Sequence, residues 1–281
     1  MHATLRNENG LPGQWSHVAT SWHLIGSPLR PVDDDLAAFQ RVIDRWCREH
    51  PDQPPRGLIL GVTPEIHDLA WPDRSRLRAV DDDAGMIRHV WPGDPAAVIQ
   101  TDWLDIGLPA GSVDIVFCDG GLHLLGYPQD QQCLVEHLAR TVAPGGYAVF
   151  RLFTPSPVEE DADAVLGALE AGRIPSLNHL KLRLWSALQR DPAEGVCLAD
   201  VWTTLHRLVR SDWRELAERL NWDPAGLAMI DAYRDRSARY HLVTPGEATQ
   251  MFSTHGFRRL NTFVPRYPQG RQCPTLVFIR S

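Results

Sequence analysis

The sequence predicts an α/β fold: a mostly parallel sheet with helices on both faces, interrupted late in the chain by a helical insertion. Three observations predict it. Between residues 57 and 153, short, continuously apolar runs alternate with polar stretches of helical period. Strands that are apolar on both faces belong to parallel sheets buried under crossover helices. Residues 155–243 then drop the alternation for consecutive helical patterns, before a helix and two further strands close the chain.

Residues 1–50 hold an irregular, aromatic-rich segment, QWSHVATSWHLIGSPLRP, closed by Pro28 and Pro31, and then VDDDLAAFQRVIDRWCREH. Acids open this second stretch, and Leu36, Phe39, Val42, Ile43 and Trp46 follow at the spacing of an amphipathic helix. Residues 51–154 supply five strands: GLILG (57–61), LRAVD (77–81), AVIQTD (97–102), VDIVFCD (113–119) and GYAVFRLF (146–153). DQQCLVEHLARTV is the helix between the last two. Residues 155–243 carry four helical patterns, VEEDADAVLGALEAG, SLNHLKLRLWSALQRD, LADVWTTLHRLV and DWRELAERLN, and read as a cap rather than a second α/β domain. Residues 244–281 complete the core. Thr244 is the N-cap of a helix starting at Pro245, and RRLNTFVP and PTLVFIR are the last two strands.

Composition narrows the function. A formal net charge of -7 argues against a nucleic-acid partner, because phosphates are neutralised by clustered Lys and Arg. No apolar run approaches the roughly 18 residues of a membrane span. MHATLRNENGLPGQW lacks an apolar signal core, so a cytoplasmic protein is expected; a monomer or homodimer is the expected state. Cys47, Cys118, Cys133, Cys197 and Cys273 form no C-x-x-C pair and read as reduced thiols. No H-x-x-x-H pairing marks a metal site, and none is expected. The ten tryptophans suit core packing first and an aromatic-lined cavity second.

The chemistry concentrates after the strands. In LILGVTPEIHD, Thr63 suits an N-cap, Pro64 the first helical position and Glu65 the first turn. Gly61 permits close approach of a ligand to the backbone, and the free N–H groups beyond it suit a carboxylate. A diphosphate fits poorly, because two of the three glycines of the dinucleotide fingerprint are missing. An ordinary strand-to-helix turn is the competing reading. Asp81 lies about 20 residues after Gly61, the offset of an acid that binds ribose hydroxyls. Asp82 is a second candidate beside it, although Asp82 and Asp83 equally suit a helix cap. Asp102 ends the third strand, where it can accept from an exocyclic amine, and Trp103 can stack on a flat ring. Ligands of open α/β sheets sit outside the carboxyl ends of such strands.

These stretches, with VIQTDWLDIGLPAGSVDIVFCDGGLHLL and HLARTVAPGGYAVF, resemble the class I S-adenosylmethionine-dependent methyltransferases. The resemblance runs over roughly residues 56–153 and the last 40 or so. It implies a Rossmann-like fold of seven strands with an N-terminal helical lid and a helical insertion before the last two strands. The family's E/D-x-G-x-G-x-G loop is altered: Ile59 stands for the acid, and Gly61, Thr63 and Glu65 for the three glycines. The resemblance implies S-adenosyl-L-methionine as cofactor, with Gly61 at its backbone, Asp81 on the ribose, and Asp102 with the Trp103 backbone on the adenine. Asp119 and Gly120 would face the methionine moiety, and Glu65 would pair with its ammonium.

Methylation of a small-molecule acceptor is the leading expectation. His123 matches the family position near the active-site mouth and is the first candidate base, with a structural histidine as the alternative. Trp15, His17, Trp22 and His23 belong to the expected lid, as contacts to the sulfonium or as packing, and GSPLRP would anchor it to the sheet. Tyr127, Tyr233, Tyr240 and His241 are weaker candidates near the cleft. Trp185, Trp202, His206 and Trp213 of the insertion suit an aromatic acceptor pocket, against a cap used for dimerisation. Three other readings stay open: cyclisation of the cofactor's aminobutyl chain to azetidine-2-carboxylate with release of methylthioadenosine, a NAD-type oxidoreductase, and a binding module without catalysis.

Overall fold

A computed structural model describes residues 14–208 and 213–281. Its strands are β1 (Gly57–Leu60), β2 (Leu77–Asp81), β3 (Val98–Gln100), β4 (Val113–Asp119), β5 (Val142–Arg151), β6 (Val196–Cys197), β7 (Arg239–Tyr240), β8 (Phe257–Phe263) and β9 (Thr275–Arg280). Seven of them form one sheet in the order β3-β2-β1-β4-β5-β9-β8, while β6 and β7 pair separately. Within the large sheet β9 runs antiparallel to both β5 and β8 and the other pairs are parallel, while β6 and β7 pair antiparallel. This is the seven-stranded, mostly parallel plan expected from the sequence. The chain winds outward from β1 to β3 and, from β4, in the opposite direction. The crevice between β1 and β4 is therefore the switch point where such sheets take their ligands.

The helices are α1 (Gln14–Ala19), α2 (Asp33–Glu49), α3 (Pro64–His67), α4 (Ala84–His89), α5 (Gln129–Thr141), α6 (Ala162–Glu170), α7 (Leu177–Leu188), α8 (Leu198–Leu208), α9 (Trp213–Leu220), α10 (Pro224–Ala228) and α11 (Pro245–Thr254). α2 buries Phe39, Val42, Ile43 and Trp46 against one sheet face, with Ile59, Phe117 and Tyr147 beneath them. α5 and α11 cover the other face through Leu134, Leu138, Met251 and Phe252. Caps fix several starts. Asp83 accepts from the Met86 amide at 2.9 Å, and Thr244 with Glu247 forms a capping box on α11.

Residues 155–243 are mainly helical and gather around a core cluster of their own, which includes Leu180, Leu184, Val201, Leu205 and Ile230. The two-residue β6–β7 ladder and the short α10 within this stretch have no counterpart in the sequence reading. Among the described residues no helix is long and apolar enough to cross a membrane.

Candidate active site

The carboxyl ends of β1, β2 and β4 open into a cavity of about 320 Å³. The core forms one wall, with Gly61, Asp81, Asp102, Asp119 and Gly120 upon it. Trp15, Trp22 and Leu29 of the N-terminal segment form a second side, and Lys181, Trp185, Tyr233 and Tyr240 of the insertion a third.

Gly61 leaves β1 with φ +90°, a conformation side chains disfavour, and its N–H donates to Val80 O at 2.8 Å. Thr63 occupies the N-cap position of α3 but makes no side-chain cap bond. Trp103 donates its indole N–H to Val80 O at 2.9 Å, so its ring is fixed beside Gly61 rather than free to swing. Asp102 uses one oxygen to cap the turn at Leu104. Asp81 accepts the Asp83 amide at 2.9 Å. Burial, and then the charges of Asp82 and Asp83, push its carboxyl up to about 7. Asp82 is raised too, by burial first and by Asp102 and Asp83 after it. A carboxylate so destabilised as an anion gains from any donor placed before it.

Arg151, wholly buried at the end of β5, holds Asp119 through Nε and Nη2. Its Nη1 lies 3.9 Å from the buried carboxylate of Asp35 and donates to Pro28 O at 2.8 Å and to the Tyr267 hydroxyl at 3.2 Å. One cation thus stands between two carboxylates while tying the Gly-Ser-Pro-Leu-Arg-Pro segment to the sheet. Arg30 of the same segment pairs with Glu65 and lies 5.5 Å over the Trp22 ring. Gly120 has φ +59°, and a Cβ there would sit 2.6 Å from the Phe153 ring.

His123 stands where the core meets the insertion. Its ring is 5.1 Å from Phe153, 5.5 Å from Trp185 and 4.6 Å from Tyr240. Burial, assisted by His241 and Arg151, pulls its pKa down to about 3, so the imidazole is neutral. A backbone bond from His241 N to His123 O, 2.7 Å, joins the insertion's return to this turn. Lys181 projects from α7 and is 5% exposed. Its Nζ lies 5.0 Å from the Tyr233 ring centroid, and burial lowers its pKa to about 8. Asn178, one turn earlier, reaches Leu24 O at 3.5 Å. Among the described residues no group of three His, Cys, Asp or Glu side chains could hold a metal ion.

Of the residues expected from the sequence, Gly61, Thr63, Asp81, Asp82, Asp102, Trp103, Asp119, Gly120, Trp22 and His123 all line this cavity, as do Trp15, Trp185, Tyr233 and Tyr240. Glu65, His23 and Tyr127 do not. Glu65 turns to Arg30, although its Oε2 is left buried and unpartnered. His23 is exposed: in a 3-10 turn neighbouring residues point about 120° apart, so Trp22 facing inward sends His23 out. Tyr127 packs against the apolar cluster under α5. His241 bonds Pro192 O, and Trp202 and His206 pair with Asp231 on the outer side of the insertion. The side chains of His17 and Trp213 lie outside the described residues. Sequence reasoning missed Arg151, Asn178, Lys181 and Phe153. An arginine inside an apolar strand, and Asn178, Lys181 and Trp185 at i, i+3 and i+7 on one helix, were the available signals.

The residues fit S-adenosylmethionine, the cofactor implied by the resemblance. The strand ends that line the cavity carry Asp81, Asp82, Asp102 and Asp119, and Asp81, raised by burial, gains from the donors that ribose hydroxyls supply. Residues 61–150 match the family model described as a methyltransferase domain. Among solved structures, the CcbJ methyltransferase from Streptomyces caelestis aligns at 15% identity and a TM-score of 0.52, over 98% of this chain and 100% of that one. At that identity the likeness concerns the fold. The N-methyltransferase NodS from Bradyrhizobium japonicum WM9, solved with S-adenosyl-L-homocysteine, aligns at 11% identity and a TM-score of 0.49, over 94% and 98%. A search among curated proteins finds no match.

Proposed function

We propose that this protein, whose core is that of a class I S-adenosylmethionine-dependent methyltransferase, methylates a small, flat organic molecule held between core and insertion. One observation carries the reading: the acidic strand ends and the aromatic faces around His123 line a single cavity. A chamber of that size, enclosed on three sides, suits a small acceptor rather than a polymer.

When bound, the cofactor supplies an electrophilic methyl group on a sulfonium centre. Asp81 would take its ribose hydroxyls, Asp102 with the Trp103 backbone its adenine, and Gly61, Asp119 and Gly120 its methionine end. Trp185, Tyr240 and Phe153, which pack on one another, would give the acceptor one aromatic wall to lie against, exclude water and set the line of attack. His123, neutral and weakly basic, would orient the acceptor by a hydrogen bond, since a group with so low a pKa takes up protons poorly at neutral pH.

The test is to incubate the purified protein with S-adenosylmethionine, alone and with pools of small aromatic metabolites, and to follow nucleosides by mass spectrometry. S-adenosylhomocysteine forming only when an acceptor is present is the expected result. Methylthioadenosine accumulating without any acceptor overturns the reading, because the aminobutyl chain would then be the reacting group.

A further inference from the structure

The charged residues of the cavity are segregated. Asp81, Asp82, Asp83, Asp102 and Asp119 all come from the ends of β2, β3 and β4, whereas the lysine and arginine of the lining, Lys181 and Arg236, both come from the insertion. Lys181 is the more telling of the two. It is buried, it lines the cavity, and among the described residues no carboxylate pairs with it. Tyr233 offers its ring face to the ammonium, a weaker partner than an anion. A buried cation without a counter-ion is costly, and a ligand that brings the counter-ion recovers that cost on binding.

We propose that the acceptor is a flat aromatic acid whose carboxylate pairs with Lys181 while its ring lies among Trp185, Tyr233 and Tyr240. The proposal rests on the methyltransferase reading of the same site and adds the substrate class to it. Lys181 is then a specificity-determining residue, holding the end of the acceptor away from the transferred methyl group. Its place on α7 between Asn178 and Trp185 couples acid recognition to the ring stack, because all three lie on one face of the helix. The cofactor also carries a carboxylate, and the two sources of that group are separable by experiment.

The experiment measures dissociation constants by calorimetry for wild type, Lys181→Met and Lys181→Arg. The first ligand is S-adenosylhomocysteine. The next are 4-hydroxybenzoate, cinnamate and indole-3-acetate, each beside its primary amide, on protein saturated with S-adenosylhomocysteine. At least one acid is expected to bind wild type about tenfold or more tightly than its amide, the value of one charge-assisted bond. Lys181→Met should erase that preference with unchanged S-adenosylhomocysteine affinity, and Lys181→Arg should keep much of it. Three results overturn the proposal: equal binding of acids and amides to wild type, no acid binding at all, or a comparable loss of S-adenosylhomocysteine affinity in Lys181→Met. The last result assigns Lys181 to the cofactor's carboxylate. Failure of wild type to bind S-adenosylhomocysteine is a different outcome, since it removes the cofactor reading itself along with the proposal. The wild-type comparison of acids with amides does not depend on either variant folding.

Discussion

The core wall and the insertion wall of the cavity both bury charge, but they compensate it differently. On the core side, Arg151 holds Asp119 by hydrogen bonds and stands 3.9 Å from Asp35, whereas Asp81 and Asp82 have no such cation beside them and are left raised. On the insertion side, Lys181 meets an aromatic ring and, among the described residues, no carboxylate. A charge satisfied internally builds structure. A charge left short of partners is a place for ligand. By this criterion Arg151 and Asp35, behind the core wall, are scaffold, and Asp81 at its edge and Lys181 of the insertion are binding surfaces.

The largest effect is expected from breaking the scaffold. Arg151→Met leaves two buried carboxylates uncompensated and should lower stability by about 3–5 kcal/mol, read from urea unfolding. Retaining full stability would show that Asp119 and Asp35 find other partners. Next is Asp81→Asn, which exchanges a charged acceptor for a neutral one. S-adenosylhomocysteine affinity should fall about tenfold to a hundredfold, while stability above pH 7 rises because a buried charge is gone; unchanged affinity would remove Asp81 from the cofactor site.

A pH series sharpens the same point. The folded pKa of Asp81, about 7, lies above its unfolded value, so its contribution to stability is present in acid and is lost as the pH rises through 7. A ligand donating to the ionised form acts in the opposite sense: affinity should fall as the pH drops from about 8 to 6, with proton release on binding. Calorimetry in buffers of different ionisation enthalpy measures this, and no proton release would contradict it. The smallest effect belongs outside the cavity. Trp202→Phe removes a bond to the exposed Asp231 and should cost about 1 kcal/mol or less, leaving ligand affinities alone.

The acids at strand ends were legible in sequence because each follows a continuous apolar run whose length fixes its exit point. β2 and β4 match their predicted spans residue for residue, since each ends at an aspartate beside a turn. β5 begins at Val142 rather than Gly146, because Val113 pairs with Val142 across an irregular ladder that no periodicity reveals. The altered loop was read correctly as a helix start, but Glu65 finds Arg30, 35 residues away, and a local reading cannot foresee a partner at that distance. Lys181 was hidden for a similar reason. A lysine on a helix reads as solvent-facing until the packing of α7 against Tyr233 is known. Ladders of two residues, such as β6–β7, are too short to have a period at all.

The bond from His241 N to His123 O joins the insertion to the core through main chain alone. Neither side chain takes part, so replacing either histidine leaves that bond intact. Residues at this seam can therefore be exchanged to retune which acceptor is admitted, by design or by drift, while this main-chain link between the chamber and the strands that hold the cofactor is kept.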